Sequence, residues 1–214
     1  NAIPLLEKNV DKVDWYYLSG HNPNAIPLLE KNLDKVRWGS LSMNPNAIPL
    51  LEKNLDKVNY RTLSSNPNAI PLLEKNLDKV DWGALSRNRN AIHILEKNLD
   101  KLDEDDWANL SSNPNAIHIL EENLDKMTTS CWVNLSSNPN AIPLLEKHMD
   151  KMTTECWEQL SSNPNAIHII EQNLEYMESY WLLCGAYLFE NPNIFTIDYN
   201  AMKTNMYKEG GITE

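Results

Sequence analysis

The sequence predicts an all-α protein, an α-solenoid built from two short helices in each 22–25-residue repeat, and three observations carry that prediction. The motif Asn-Ala-Ile-(Pro/His)-(Leu/Ile)-(Leu/Ile)-Glu recurs eight times, starting at Asn1, Asn24, Asn46, Asn68, Asn90, Asn115, Asn140 and Asn165. Its spacing is 23, then 22 three times, then 25 three times. One aromatic residue marks every repeat: Trp15, Trp38, Tyr60, Trp82, Trp107, Trp132, Trp157 and Trp181. Apolar residues within a repeat follow helical spacing, and no segment alternates with period two. A leucine-rich-repeat arrangement, with a strand in every unit, is the competing architecture. The eight repeats fill residues 1–192 and leave 193–214 as a divergent C-terminal cap or tail.

The fourth repeat justifies each element. Asn68 is an N-cap, with Ala69, Ile70 and Pro71 in the first turn, where a missing backbone N–H costs nothing because first-turn donors lack intrahelical acceptors. His93, His118 and His168 stand where this proline stands in other repeats. Ile70, Leu73, Leu77 and Val80 recur at helical spacing with Leu72 at the flank, which predicts a first helix of about ten to twelve residues. Asn9, Asn32, Asn54, Asn76, Asn98, Asn123 and Asn173, with His148 in the remaining repeat, end that helix as caps that tolerate the left-handed conformation. A ladder of asparagine hydrogen bonds between repeats is compatible with this role. Asp81 caps a second, shorter helix carrying Trp82 and Leu85, and Ser86 to Arg89 turns the chain back. The 25-residue repeats insert three residues before the tryptophan, close to one helical turn, so their second helix is longer and capped by Asp103, Thr128 or Thr153. Acidic Glu104, Asp105 and Asp106 suit its first turn. Tyr180, Trp181, Leu182, Leu183, Tyr187, Leu188, Phe189 and Phe195 form an apolar cluster expected to close the stack.

Composition excludes several classes. Among 214 residues, 42% are hydrophobic and seven are tryptophan, which a disordered chain does not carry. The longest apolar stretch, Tyr180 to Phe189, is ten residues, about half of what a spanning helix needs. No basic segment followed by an apolar one opens the sequence, so secretion is not expected. The net charge of −11 argues against nucleic acid or an anionic membrane as partner. Residues 1–107 carry a net −2 and residues 108–214 a net −9. Three cysteines do not make a disulfide framework.

Residues with reactive chemistry read as scaffold. His93, His118 and His168 occupy equivalent positions about one helix-packing distance apart, ~10 Å, whereas zinc requires its ligands within about 2.3 Å. Cys131 and Cys156 are equivalent in the same sense and too far apart for a disulfide. Each reads as a small buried hydrophobe beside its tryptophan, and Cys184 as core. No phosphate-binding glycine loop occurs. No catalytic, cofactor-binding or metal-binding residue is assigned, and no cofactor is expected.

Segments such as Leu63-Ser64-Ser65-Asn66-Pro67-Asn68-Ala69-Ile70-Pro71-Leu72-Leu73-Glu74-Lys75-Asn76-Leu77-Asp78-Lys79 resemble the Asn-Pro-Asn-Ala-Ile repeat proteins of giant DNA viruses of the mimivirus and phycodnavirus kind. The stretch Asn191-Pro192-Asn193-Ile194-Phe195, followed by Asp198-Tyr199, is similar to the closing unit of that family. The resemblance implies a viral protein located in the host cytoplasm or the virion, and it transfers no catalytic residue. The 25-residue spacing departs from the usual 22, against a uniform superhelix.

Comparing the repeats with one another separates scaffold from surface. Ala, Ile, Leu, Glu, the aromatic, Ser and Asn are constant, while variation concentrates around the aromatic and in the turn before Asn-Pro. Tyr16, Tyr17, Arg37, Met43, Arg61, Arg87, Arg89, Glu155 and Glu158 are therefore the candidate partner-binding surface. The expected function is a non-enzymatic scaffold for protein–protein interaction, host-directed. A structural or assembly role in the virus particle is the alternative, and a hydrolase using Cys131 or Cys156 the third reading. End-to-end self-association through exposed terminal repeats is a further expectation.

Overall fold

A computed structural model describes residues 3–173. Among these residues the regular structure is entirely helical, with no strand, and the leucine-rich-repeat alternative is not what forms. The first helices of successive repeats are α1 (Ile3–Glu7), α3 (Ile26–Glu30), α5 (Ile48–Glu52), α7 (Ile70–Glu74), α9 (Ile92–Glu96), α11 (Ile117–Glu122), α13 (Ile142–Lys147) and α15 (Ile167–Gln172). The second helices are α2 (Trp15–His21), α4 (Trp38–Leu41), α6 (Tyr60–Ser64), α8 (Trp82–Ser86), α10 (Glu104–Ser111), α12 (Thr129–Ser136) and α14 (Thr154–Ser161). The chain divides into two compact units, Asn1–Lys126 and Met127–Glu214. In the first, α2 packs on α4, α6 on α8 and α8 on α10; in the second, α12 packs on α14. This is the stacked, two-helix repeat arrangement expected of an α-solenoid. The boundary expected at residues 192 and 193, the apolar cluster beginning at Tyr180, and Cys184 all lie outside the described residues.

The first helix is shorter than its apolar spacing predicts. In the fourth repeat it ends at Glu74, and a separate 3₁₀ turn covers Leu77–Lys79. The cause is Asn76, whose side-chain Nδ2 donates to the Leu72 carbonyl at 2.9 Å while its backbone N–H donates to Leu73 O at 2.9 Å. The side chain thus supplies the i−4 bond that the next turn of backbone would have made, and the chain leaves the helix. Asn76 has φ −137° and ψ 42°, so it ends the helix without entering the left-handed region expected of it. Asn9, Asn32, Asn54, Asn98, Asn123 and Asn173 make the same bond to the carbonyl four residues back.

Because the helix stops there, Leu77 leaves the core face and is partly exposed. The core of the repeat is instead the adjacent pair Leu72 and Leu73, with Ala69 and Leu85, all at 2% exposure or less. A fully buried leucine contributes about 1.5–3 kcal/mol relative to an exposed one, so these residues dominate the stability of a repeat. The helix start also differs by one position. Ala69 is the N-cap residue, and Asn68 turns its side chain to the preceding repeat rather than to its own helix.

The second helices follow expectation closely. Asp81 accepts from the Ala84 N–H at 2.8 Å, and the helix it caps runs five residues. In each described 25-residue repeat that helix runs eight. Asp103 and Asp106 form a reciprocal capping box at the start of α10. Thr128 and Thr153 occupy the N-cap position with extended backbone but accept no capping bond; their hydroxyls lie against Cys131 and Cys156 Sγ. The added turn covers the aromatic residue: Trp107, Trp132 and Trp157 are buried, whereas Trp15, Trp38, Tyr60 and Trp82 are only half-buried.

Candidate interaction surface and the ladder beneath it

Within each unit, the first asparagine of the Asn-Pro-Asn turn ties a repeat to the one before it. Asn66 Nδ2 donates to Ser42 O at 3.0 Å and to Asn44 O at 3.2 Å, both carbonyls of the preceding repeat. Its Oδ1 accepts from the Asn68 N–H, closing an Asx turn. Asn44, Asn88, Asn113 and Asn163 repeat the inter-repeat pair. The asparagine two residues later adds a further bond, Asn68 Nδ2 to Pro45 O and Asn115 Nδ2 to Arg89 O. That bond uses a main-chain carbonyl, so it forms with Arg89 as it does with proline. The ladder therefore runs through the Asn-Pro-Asn asparagines, and those ending the first helix bond within their own repeat. The recurrence of Asn-Pro-Asn was visible in the sequence, but nothing in it distinguished a cap from a bridge.

A serine four residues after the aromatic adds a second kind of rung. Ser42 Oγ donates to Trp38 O at 2.9 Å and accepts from the Asn59 N–H of the next repeat at 3.1 Å. Ser19 and Ser64 accept equivalently from Arg37 and Asp81. At the first 25-residue repeat this rung breaks, because the Asp106 N–H is taken by Asp103 Oδ1 inside the capping box. Ser86 Oγ is left buried without a partner. Burial holds the Asp106 carboxyl above the ordinary carboxylate range; nearby Asp103, Asp81 and Asp105 push the same way, and the hydrogen bond from the Asp103 backbone opposes them.

Histidine and lysine alternate as partners of one glutamate. Glu7, Glu30 and Glu52 pair with Lys31, Lys53 and Lys75 of the following repeat. Glu74, Glu96 and Glu146 pair with His93, His118 and His168 at 2.7–2.9 Å. Each histidine thus meets a carboxylate of its neighbour rather than another histidine. Lys35, Lys57 and Lys79 lie 5.0–5.6 Å over the rings of Trp15, Trp38 and Tyr60 in the preceding repeat. Cys131 and Cys156 are free thiols, each fully buried. Among the described residues no group of three His, Cys, Asp or Glu side chains gathers as a metal site, and no helix is long and apolar enough to cross a membrane.

With these inter-repeat groups placed, the exposed positions of the first unit form a pattern. The position after the aromatic in one repeat adjoins the position before it in the next. Arg61 Nε lies 4.0 Å from Asp81 Oδ2, a Cβ on Gly39 would lie 3.9 Å from Asn59 Nδ2, and one on Gly83 would lie 3.0 Å from Asp106 Oδ1. Tyr16 and Arg37 hold the equivalent pair of places one repeat earlier and are exposed. Met43 and Arg87 stand four residues after that position, just past the ends of α4 and α8, and are also exposed. Arg89 is exposed in the turn beyond.

The other candidates lie elsewhere. Tyr17 is exposed and stacks on His21, 4.7 Å between centroids, but its equivalents turn toward the preceding repeat: Ser40 is buried, and Thr62 Oγ1 donates to Gly39 O. Glu155 and Glu158 belong to the second unit. The Glu155 carboxylate is tied to its own helix start by its backbone and by the Thr153 hydroxyl, which hold it below the ordinary range. Glu158 is half-buried. No known protein family, curated protein or solved structure matches this chain.

Proposed function

We propose that this protein is a non-enzymatic repeat scaffold that binds another protein across the exposed faces of its second helices. The observation that carries this reading is the division of labour between positions. Groups that bridge repeats are the same in nearly every repeat, whereas the exposed places beside the aromatic change and take Tyr, Met and Arg. Those are the residue types enriched at interface centres. The resemblance to giant-virus repeat proteins supports a viral, host-directed setting in the cytoplasm of the infected cell.

The test is comparative capture from host lysate with the wild-type chain and with Arg37→Glu, Arg61→Glu and Arg87→Glu together. These side chains are exposed, so the triple variant retains the far-UV circular dichroism of the parent. A partner retained by wild type and lost by the variant supports the reading. An unchanged set of captured proteins overturns this surface.

A further inference from the structure

The chain's cations are divided by type. Every lysine up to Lys151 directly follows a glutamate or aspartate, in Glu-Lys or Asp-Lys, on the first-helix half of its repeat. All four arginines, Arg37, Arg61, Arg87 and Arg89, occur in three consecutive repeats, beside neutral neighbours on the second helix or its turn. Lysine is thus already compensated locally and spent on neighbouring repeats, through the carboxylate pairs and ring contacts of the first unit. The arginines are not. Among the described residues Arg37, Arg87 and Arg89 make no ion pair, and Arg61 meets Asp81 only at 4.0 Å with its side chain 84% exposed.

We infer, resting on the scaffold reading, that the second-helix face of residues 37–89 receives an extended, carboxylate-bearing segment of a partner protein. Arginine is the side chain that grips a carboxylate with two parallel hydrogen bonds, and of the four here only Arg61 comes near one, that of Asp81. Successive second helices pack about 8–10 Å apart, and an extended chain advances about 3.3 Å per residue. Arg37, at the junction with Tyr16, and Arg61, at the junction with Asp81, stand two such spacings apart, so a segment with a carboxylate at every third residue presents one to each. Gly39, at the position after the aromatic, has only Asn59 Nδ2 within reach of its missing side chain, at 3.9 Å, so an extended backbone can lie close to the helices there; at Gly83 the corresponding space is taken by Asp106 and Asn109, which ends the groove. Tyr16 and Met43 supply apolar contact at the end nearest Arg37.

The probes are two fluorescein-labelled peptides of about twelve residues, repeats of Glu-Ser-Gly and of Gln-Ser-Gly, titrated with the 214-residue chain at low ionic strength and followed by anisotropy. The glutamate peptide binds about tenfold or more tightly than the glutamine peptide, and its affinity falls with added salt. Arg61→Ala and Arg87→Ala each weaken it severalfold, and Arg61→Lys, which keeps the charge and loses the fork, weakens it by less. Equal binding of the two peptides, or no binding of either, overturns the carboxylate assignment. So does tighter binding of an oligouridine of equal charge through the same arginines. If the peptides fail while the charge-swapped chain still loses a captured protein, the partner's chemistry is wrong and the scaffold reading stands.

Discussion

Two serines at equivalent positions show how closely each repeat depends on the one that follows it. Ser64 Oγ donates to Tyr60 O and accepts from the Asp81 N–H, while Ser86 Oγ, one repeat later, is buried with no partner. Ser64→Ala strands a buried N–H and costs about 1–3 kcal/mol in urea unfolding, whereas Ser86→Ala is neutral or stabilising. Asp106 sits at the same junction. Its carboxyl is held above the ordinary range chiefly by burial, so the folded state favours the protonated form. The penalty for ionising it is absent below the unfolded-state pKa, grows as pH rises toward the raised folded-state value, and is complete above that. Asp106→Asn keeps an acceptor for the Asp103 N–H and removes the charge. It raises stability at neutral pH by about 1 kcal/mol, the scale of a few like-charge contacts, and the gain disappears when unfolding is measured below the ordinary carboxylate range. Neither effect is legible in the sequence, because Ser64 and Ser86 both stand four residues after the aromatic, and whether the next repeat offers its N–H depends on the bond Asp103 makes to Asp106.

Helix lengths show which features local sequence carries. The eight-residue second helices of the longer repeats were readable because three inserted residues add nearly a turn and keep the tryptophan in register. The five-residue first helix was not, since Ile70, Leu73, Leu77 and Val80 have helical spacing even though Asn76 diverts the chain between them. Periodicity reports which residues are apolar; a single side-chain bond to the backbone decides where the helix stops. Caps show the same limit. Asp103, Thr128 and Thr153 all fit the N-cap preference, yet only Asp103 makes the bond. Asp103→Ala therefore lowers the stability of the first unit by about 1 kcal/mol, and Thr128→Ala or Thr153→Ala changes that of the second by a few tenths at most, as chemical denaturation of the three variants will show.

At the scale of the whole chain, repetition itself is the stabilising device, because a repeat's core leucines are buried by its neighbours. Two neighbouring 22-residue repeats share the Asn-Pro-Asn bonds and the serine rung, whereas the passage from 22 to 25 keeps the former and loses the latter. This asymmetry makes the effect of adding a repeat depend on which repeat is added. A second copy of residues 46–67 inserted between Pro67 and Asn68 joins 22-residue neighbours on both sides and restores every rung. At about 0.05–0.15 kcal/mol per residue it adds roughly 1–3 kcal/mol, read as a higher urea midpoint with a steeper transition. A copy of residues 90–114 inserted at the same point instead sets the Asp103–Asp106 capping box against Ser64, which loses the N–H it accepts from. Its gain is smaller by about the cost of one lost rung, ~1 kcal/mol. Equal gains from the two insertions would mean that the serine rung contributes nothing and that repeat length is immaterial to the stack.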